Sequence, residues 1–182
     1  MRVVVLADTH LRDRHPASGT PNDRLITERL PAELVRDLHR ADLILHAGDL
    51  VGAELLTELK TYAPVLAVLG NNDVELVDRL PATIETDVDG VAIAMIHDSG
   101  ARDGRELRMQ QRFPTARLVV FGHSHLPEDN RGAGGQRLFN PGSPTQRRRA
   151  PEPTYGLVHL TRGRITGHRI VPIASDHDRT IR

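Results

Sequence analysis

The chain has no cysteine and no tryptophan, and aromatic residues make up 3% of its 182 positions. Without thiolates it forms neither disulfides nor zinc-thiolate sites, which excludes disulfide scaffolds, cysteine-based zinc fingers and thiol redox enzymes. Three Phe and two Tyr offer no stacking platform for a long single strand of nucleic acid. The composition therefore favours neither a redox protein nor a binder of extended nucleic acid.

The chain also lacks an excess of either charge, since 24 Lys and Arg balance 24 Asp and Glu. A general nucleic-acid binder normally carries a basic excess, so no such partner is expected. No apolar run approaches the ~18 residues of a membrane span, and Asp8 interrupts the first run too early for a signal peptide. We expect a cytoplasmic protein without membrane partners, folded as one domain over 1–182 with a frayed tail at 174–182.

Five strand-like apolar runs lead into polar side chains that bind hard metal ions. The runs cover 3–7, 43–45, 65–69, 91–96 and 118–121. The candidate ligands that follow them are Asp8, His10, Asp49, Asn71, His97, His123 and His125. Open α/β sheets bind ligands at the carboxyl ends of their strands, so these side chains are expected to share one crevice. Seven ligands are too many for one ion, and this thiolate-free set suits Mn, Fe, Zn or Mg.

The motifs around these ligands resemble the signature blocks of the calcineurin-like metallophosphoesterases. The blocks are Asp8-x-His10, Gly48-Asp49, Gly70-Asn71-x-Asp73, His97 and Gly122-His-x-His125, in the order found in that family. Asn140-Pro-Gly-Ser143 resembles the small bacterial and archaeal phosphodiesterase branch. The resemblance implies an α/β fold, a four-layer αββα sandwich in which two mixed β-sheets are flanked by helices.

The resemblance also implies a centre of two divalent metal ions. One ion would be held by Asp8, His10, Asp49 and His125, and the other by Asp49, Asn71, His97 and His123, with Asp49 as the bridge. A hydroxide between two such cations attacks phosphorus in line, which implies a phosphodiesterase for a small phosphate ester. Mn²⁺ is favoured, with Fe, Zn, Ni or Mg as other options. The expected catalytic residues are Asp49, Asn71, Asn72 and His97.

Three further residues, His46, Asp73 and Asp98, are expected to support the ligands rather than to bind metal. For Asp98, an orienting role toward His97 and plain solvent exposure are equally compatible with the sequence. Asn72 stands where many relatives have His, and Asn has no labile proton near neutral pH. We therefore expect Asn72 to hydrogen-bond the phosphoryl group, and esters with stabilised leaving groups to be preferred.

Arginines near these motifs are candidates for contacting a substrate phosphate. They are Arg12, Arg147, Arg148 and Arg149. Because a run of like charges is more often a solvated surface, both interpretations of the run stay open.

Other functions and assembly states also remain open. They are a phosphomonoesterase or nucleotide pyrophosphatase on the same site, a homo-oligomer, and a non-catalytic scaffold like the family member in the eukaryotic retromer complex. The presence of all seven ligands favours an enzyme, because a scaffold need not keep them.

The remaining pattern alternates strands and helices and then adds strand pairs. Helices are predicted from Pro31, over 52–62 and over 105–113, with a helical turn over 74–80. Asn22 or Asp23 is a candidate cap of a short helix. An Asp89-Gly90 turn predicts a hairpin of 84–88 with 91–96, and later strand pairs are predicted within 126–140 and 155–173. This order predicts parallel strands first and antiparallel additions later.

Overall fold

The chain alternates short strands and helices over its first half and then adds mostly strands. In a computed structural model, which describes residues 1–13 and 29–173, the strands are β1 (Arg2–Leu6), β2 (Leu43–His46), β3 (Val65–Ala67), β4 (Thr83–Val88), β5 (Val91–Ile96), β6 (Leu118–Val120), β7 (Glu128–Arg131), β8 (Arg137–Asn140), β9 (Thr154–Thr161) and β10 (Arg164–Pro172). The α-helices are α1 (Ala32–Leu38), α2 (Ala53–Tyr62) and α3 (Arg105–Arg112). Short 3₁₀ turns lie at Val74–Leu76 and Ala133–Gly135.

The strands form two mixed sheets of five strands each. The first has the order β10-β9-β1-β2-β3, in which β1, β2 and β3 are parallel. The second has the order β4-β5-β6-β8-β7, in which β5, β6 and β8 are parallel. The hairpin partners β10, β4 and β7 are antiparallel and lie at edges. In both sheets, therefore, three parallel strands end on the same side.

Side chains alternate along each strand, and the central strands β1, β2 and β6 are buried on both faces. On β1, Val3 and Val5 pack against the second sheet, whereas Val4 and Leu6 pack with buried leucines of α1 and α2. On β6, Val119 lies on the outer face and packs with residues of α3. Helix, sheet, sheet and helix follow one another as four layers, which confirms the predicted sandwich.

The predicted elements agree with the structure to within a few residues. At the hairpin turn, Asp89 and Gly90 both have positive φ, 53° and 78°, as a type I′ turn requires. Pro31 precedes α1 instead of beginning it, and the segment 74–80 holds only a three-residue 3₁₀ turn. The helix cap at Asn22 or Asp23 and the tail at 174–182 lie outside the described residues. The single domain over 1–182 stays a prediction.

None of the helices in the described part of the chain is long and apolar enough to cross a lipid bilayer.

Helix α2 receives its cap from a distant part of the sequence. Gly52 at its start has no side chain, but the carboxylate of Asp13 accepts hydrogen bonds from the backbone N–H groups of Ala53 at 3.2 Å and Glu54 at 2.9 Å. A carboxylate there pairs free N–H groups and complements the helix dipole. The contact also ties the segment that follows β1 to α2.

Gly156 on β9 gives the two sheets room to approach each other. A Cβ atom there would lie 2.3 Å from Cε1 of Phe139 and 3.1 Å from Cβ of Val5. We expect Gly156→Ala to lower the free energy of unfolding by about 1–3 kcal/mol through overpacking. Gly167→Ala on β10 is the matched control, since its Cβ would lie 3.6 Å from the nearest atom of His159. Urea denaturation measures both variants, and equal effects would contradict this account.

Candidate metal centre

The candidate ligands lie where parallel strands of both sheets end. Asp8 and His10 follow β1, and their backbone N–H groups donate to the carbonyls of Gly48 and Asp49, each at 2.9 Å. These bonds join the loops that follow β1 and β2. In the second sheet, the N–H of Gly122 donates to the carbonyl of His97 at 2.9 Å. The structure thereby brings together all seven side chains: Asp8, His10, Asp49, Asn71, His97, His123 and His125.

Asp8, His10 and His125 form the first group of ligand atoms. Nε2 of His10 lies 3.1 Å from Nε2 of His125, which lies 3.4 Å from Oδ1 of Asp8. Atoms bound to one ion at ~2.0–2.2 Å are themselves about 3.0–3.5 Å apart. Two of the three separations have this spacing, and the third, from Nε2 of His10 to Oδ1 of Asp8, is 4.0 Å. The three side chains therefore lie close to the spacing of ligands around a single cation.

Asn71, His97 and His123 form the second group. Oδ1 of Asn71 lies 3.1 Å from Nε2 of His97 and 3.0 Å from Nδ1 of His123. Nδ1 of His97 donates to the carbonyl of Ala47 at 2.7 Å, which leaves Nε2 for a metal. His123 and His125 are two positions apart in sequence and yet belong to different groups, as the resemblance implied.

Asp49 lies between the two groups. Its Oδ2 is 3.5 Å from Nε2 of His10 and 3.5 Å from Nε2 of His97. The backbone and side-chain N–H groups of Asn72 donate to its two oxygens at 2.8 and 2.7 Å. Burial alone would raise the pKa of Asp49, but the hydrogen bonds from His97 and Asn72 outweigh it and hold the pKa well below its usual range. An ionised carboxylate in this place suits a ligand shared by two ions.

The chemistry of the site fits divalent cations. Asp8 is fully buried, its Oδ1 accepts the N–H of His123 at 3.2 Å, and its Oδ2 makes no hydrogen bond. A buried carboxylate oxygen without a partner is costly unless a cation or a proton satisfies it. The donors around it are carboxylate, amide and imidazole groups, which bind hard and borderline metal ions. These residues therefore form a candidate metal centre.

Burial sets the charges of the first group. It raises the pKa of Asp8 to about 7. It lowers the pKa of His125 to about 4 and also lowers the pKa of His10. Both imidazoles are thus neutral near neutral pH, as metal ligands must be, whereas a proton on Asp8 competes with a cation.

Backbone strain is concentrated at the same place. Positive φ angles occur at five candidate ligands: Asp8 (54°), His10 (46°), Asp49 (60°), His123 (70°) and His125 (58°). The left-handed conformation costs a residue with a side chain roughly 1–2 kcal/mol. Such strain persists where surrounding contacts enforce it, and it clusters at functional sites.

Asp73 fixes the backbone that carries the ligands. Its Oδ2 accepts the N–H groups of Asp49 and Gly70, each at 2.8 Å, and its Oδ1 accepts the N–H of Val51 at 2.7 Å. Val51 is a β-branched residue with a φ of 79°, so this hydrogen bond holds a strained segment. Asp73 therefore lies behind the ligands, in the position expected of a supporting residue.

His46 also lies behind the ligands. It is fully buried, and its Nε2 is 3.1 Å from Oγ1 of Thr9, which donates to the carbonyl of Asp49 at 3.4 Å. Burial lowers the pKa of His46 to about 3, so the ring is neutral. It supports the loops through Thr9, a residue that the sequence analysis did not single out.

Asp98 does not orient His97, which was one of the two roles considered for it. It is exposed, and its carboxylate accepts the N–H of Gly100 at 2.7 Å within its own turn. The ring of His97 is oriented instead by the carbonyl of Ala47. Of the two alternatives for Asp98, the structure shows solvent exposure, because the backbone turns the side chain back onto its own loop.

The Asn140-Pro-Gly-Ser143 turn clamps two ligand loops, a role that the sequence did not reveal. Nδ2 of Asn140 donates to the carbonyl of Gly122 at 3.0 Å, and Oγ of Ser143 donates to the carbonyl of Asp8 at 2.7 Å. Oγ1 of Thr145 donates to the carbonyl of Thr9 at 2.7 Å. The motif is visible in the sequence, but the partner of Ser143 lies 135 positions away, and the partner of the nearby Thr145 lies 136 positions away.

Among the candidate arginines, Arg148 reaches the centre. Its Nη1 is 3.5 Å from the carbonyl oxygen of His123. Burial is the larger cause of the shifted pKa values of Asp8, His10 and His125, but the charge of Arg148 lowers all three. Its guanidinium is thus close enough to act on the first group of ligands.

The other arginines are placed differently. Nη1 of Arg147 donates to the carbonyl of Ala150 at 2.9 Å and stabilises its own loop. Arg149 and Arg12 are exposed, and within the described residues their side chains form no hydrogen bond with a candidate ligand. The structure therefore separates one arginine from the run of three.

Comparisons with known proteins agree with this geometry. A family model described as a calcineurin-like phosphoesterase superfamily domain matches residues 1–163. A probable metallophosphoesterase of Methanothermobacter thermautotrophicus is 36% identical over 148 residues, which cover 80% of this chain and 78% of that protein. A probable metallophosphoesterase of Methanocaldococcus jannaschii is 32% identical over 150 residues, covering 80% and 69%.

Among solved structures, Vps29 of Entamoeba histolytica in complex with zinc is similar, with a TM-score of 0.67. The likeness covers 96% of this chain and 100% of that chain at 22% identity. At this level of identity, the likeness shows the fold alone.

We expect metal affinity to increase as the pH rises through about 7. Because burial raises the pKa of Asp8 to about 7, the carboxyl is protonated below that pH and a cation must displace the proton. Titration calorimetry of metal-stripped protein with Mn²⁺, in buffers of different ionisation enthalpy, measures the protons released. Because Asp8 carries its proton at about pH 6 and has lost it at about pH 8.5, we expect the contribution of this carboxyl to proton release to fall by about one proton between these pH values. Asp98→Asn is the control, and a release independent of pH would contradict the assignment.

Proposed function

The chain belongs to the calcineurin-like phosphoesterase superfamily, and we propose that it is a dinuclear metal-dependent phosphodiesterase for a small phosphate ester. The observation that carries the proposal is the convergence of seven donors into two groups, with Asp49 between them. Membership of the family supports hydrolysis of phosphate esters. The preference for a small diester is supported by the Asn140-Pro-Gly-Ser143 turn, the balanced charge and the low aromatic content.

In this proposal, each cation is held by four residues, with Asp49 common to both. The first set is Asp8, His10, Asp49 and His125, and the second is Asp49, Asn71, His97 and His123. When bound, two divalent cations lower the pKa of a water and neutralise charge that develops on the phosphoryl oxygens. We propose Mn²⁺ as the preferred ion, although this donor set also accepts Fe, Zn, Ni or Mg.

Asn72 orients the carboxylate that the two cations would share. The side-chain amide of Asn72 donates one N–H to Oδ2 of Asp49 and so helps to fix the shared carboxylate. An amide has two N–H groups, which leaves one for a phosphoryl oxygen. Asn72 cannot protonate a leaving group, and we therefore propose that esters with stabilised leaving groups react best.

The proposal is tested by stripping the protein of metal, reloading it ion by ion, and assaying five substrate types. These are an aryl phosphodiester, an alkyl phosphodiester, a phosphomonoester, a cyclic nucleotide and a pyrophosphate. We expect the highest turnover for the aryl diester with Mn²⁺, and a loss of at least about 100-fold in Asp49→Asn. The exposed Asp98→Asn is the matched control.

The other outcomes distinguish the alternatives. Faster turnover of the monoester or the pyrophosphate would replace the diesterase by a phosphatase or a pyrophosphatase on the same site. Full metal occupancy without hydrolysis of any ester would contradict the proposal of an enzyme and support a non-catalytic scaffold.

We further propose that Arg148 binds the substrate phosphate, because it is the arginine of the run that reaches the ligands. A guanidinium group can donate two parallel hydrogen bonds to a phosphate, and this contact would strengthen binding of the ester in the ground state. Arg148→Ala is expected to raise KM by about tenfold while changing kcat by less than about threefold. Arg149→Ala, one residue away and exposed, should leave both constants near wild type. Steady-state kinetics on the diester decides, and equal KM values for the two variants would rule Arg148 out.

A further inference from the structure

A basic cavity lies at the opposite end of the molecule from the metal centre. The parallel strands β5, β6 and β8 lead toward the centre at their carboxyl ends. The cavity is lined at their amino ends by Val91, which opens β5, by Arg117, which precedes β6, and by Arg137, which opens β8. Since six residues of strand span ~20 Å, the cavity is separate from the metal centre.

The lining of this basic cavity carries charge of one sign. Its titratable lining residues are Arg117, Arg131, Arg137, Arg164 and His168, and no carboxylate of the described chain lines it. The cavity measures about 840 Å³. This volume lies within the ~300–1,000 Å³ typical of small-molecule sites.

Within the part of the chain that the structure describes, three of the four arginines have no carboxylate partner. Arg137 pairs with Asp129 at 3.2 Å, and Nδ1 of His168 contacts the same carboxylate at 2.6 Å. Arg117, Arg131 and Arg164 are exposed, and their guanidinium groups form no ion pair within residues 1–13 and 29–173. Because like charges held together repel one another, a bound anion would relieve their repulsion.

The backbone segments that carry the arginines are hydrogen-bonded to neighbouring strands, and both sheets contribute to the lining of the cavity. The N–H of Arg117 donates to the carbonyl of Ala92 at 2.7 Å, and the N–H of Arg137 donates to the carbonyl of Arg117 at 2.8 Å. From the other sheet, Gly163 donates its N–H to the carbonyl of Asp89 at 2.7 Å, next to Arg164. These contacts fix the backbone positions from which the arginine side chains extend, which favours binding.

Gln136 adds an uncharged polar group to the lining. It is 2% exposed, and its side-chain amide donates to the carbonyl of Phe113 at 2.7 Å. Its Oε1 makes no hydrogen bond. Because phosphate oxygens are acceptors, this oxygen is not a contact of a phosphate ligand, and Gln136 shapes the lining through its hydrogen bond to Phe113.

We propose that this cavity binds a small molecule that carries two or more phosphate groups. Arginine forks match phosphate oxygens two at a time, and several forks around one cavity suit several phosphates. The limited volume of the cavity and the zero net charge of the chain favour a small ligand over an extended nucleic acid. The proposal does not depend on catalysis at the metal centre.

The test is titration calorimetry of metal-stripped protein with inorganic triphosphate, in a buffer without chelator because chelators are themselves polyanions. The double variant Arg117→Ala/Arg164→Ala should bind triphosphate at least about tenfold more weakly, since two charge-assisted contacts are lost. Arg40→Ala/Arg79→Ala removes the same charge from two exposed positions elsewhere and should change the affinity by less than about twofold. Equal weakening in both double variants would overturn the proposal.

NMR spectra of the backbone amides of glycines provide the second measurement, because glycines lie both in the basic cavity and near the metal ligands. Triphosphate should shift the signals of Gly132, Gly135 and Gly163, which line the cavity, and leave those of Gly48, Gly70 and Gly122 near the metal ligands unchanged. The same spectra show whether both double variants are folded. Shifts confined to the metal centre, no binding at all, or tighter binding of a single-stranded oligonucleotide or an acidic peptide would each overturn the proposal.

Discussion

Two carboxylates, Asp8 and Asp49, are held together in one buried crevice, and their mutual repulsion is the constraint on which the rest of the structure depends. Burial and the charge of Asp49 both act to raise the pKa of Asp8, whose Oδ2 has no hydrogen-bond partner. Asp49 is kept ionised by donors from His97 and Asn72. Cations between the carboxylates would remove the repulsion, which explains why the fold gathers two carboxylates in one buried crevice.

The fold supplies the force that keeps these groups in place. Three buried layers of apolar side chains fix the parallel strands, and the strands deliver their loops to one crevice. Two of the five candidate ligands with positive φ are held by supporting residues: Asp73 accepts the N–H of Asp49, and Ser143 donates to the carbonyl of Asp8. A regular strand would avoid this backbone strain, but it would place the side chains of His123 and His125 on the same face. The left-handed conformation lets His123 point toward the second group of ligand atoms and His125 toward the first.

Sequence patterns predicted those features whose cause is local. Apolar runs located the strands, the Asp89-Gly90 turn fixed one hairpin, and the ends of the runs indicated candidate ligands that the structure places close together. Features that depend on partners far along the chain were missed. Nothing near α2 indicates that Asp13 caps it, and nothing near His97 shows that the carbonyl of Ala47 orients its ring. These contacts exist only after the sheets have assembled, so no local rule could predict them.

The same parallel strands that gather metal ligands at their carboxyl ends gather arginines at their amino ends. Over the ~20 Å of such a strand, exposed charges are screened, because the Debye length is about 8 Å at physiological ionic strength. The basic cavity therefore cannot tune the metal centre through simple electrostatics. Coupling between the basic cavity and the metal centre would require the packed core around β5, β6 and β8 to adopt two distinct arrangements, one favoured by each ligand. Tight burial of Val119 and Phe139 along these strands favours a single arrangement, and thus two independent sites.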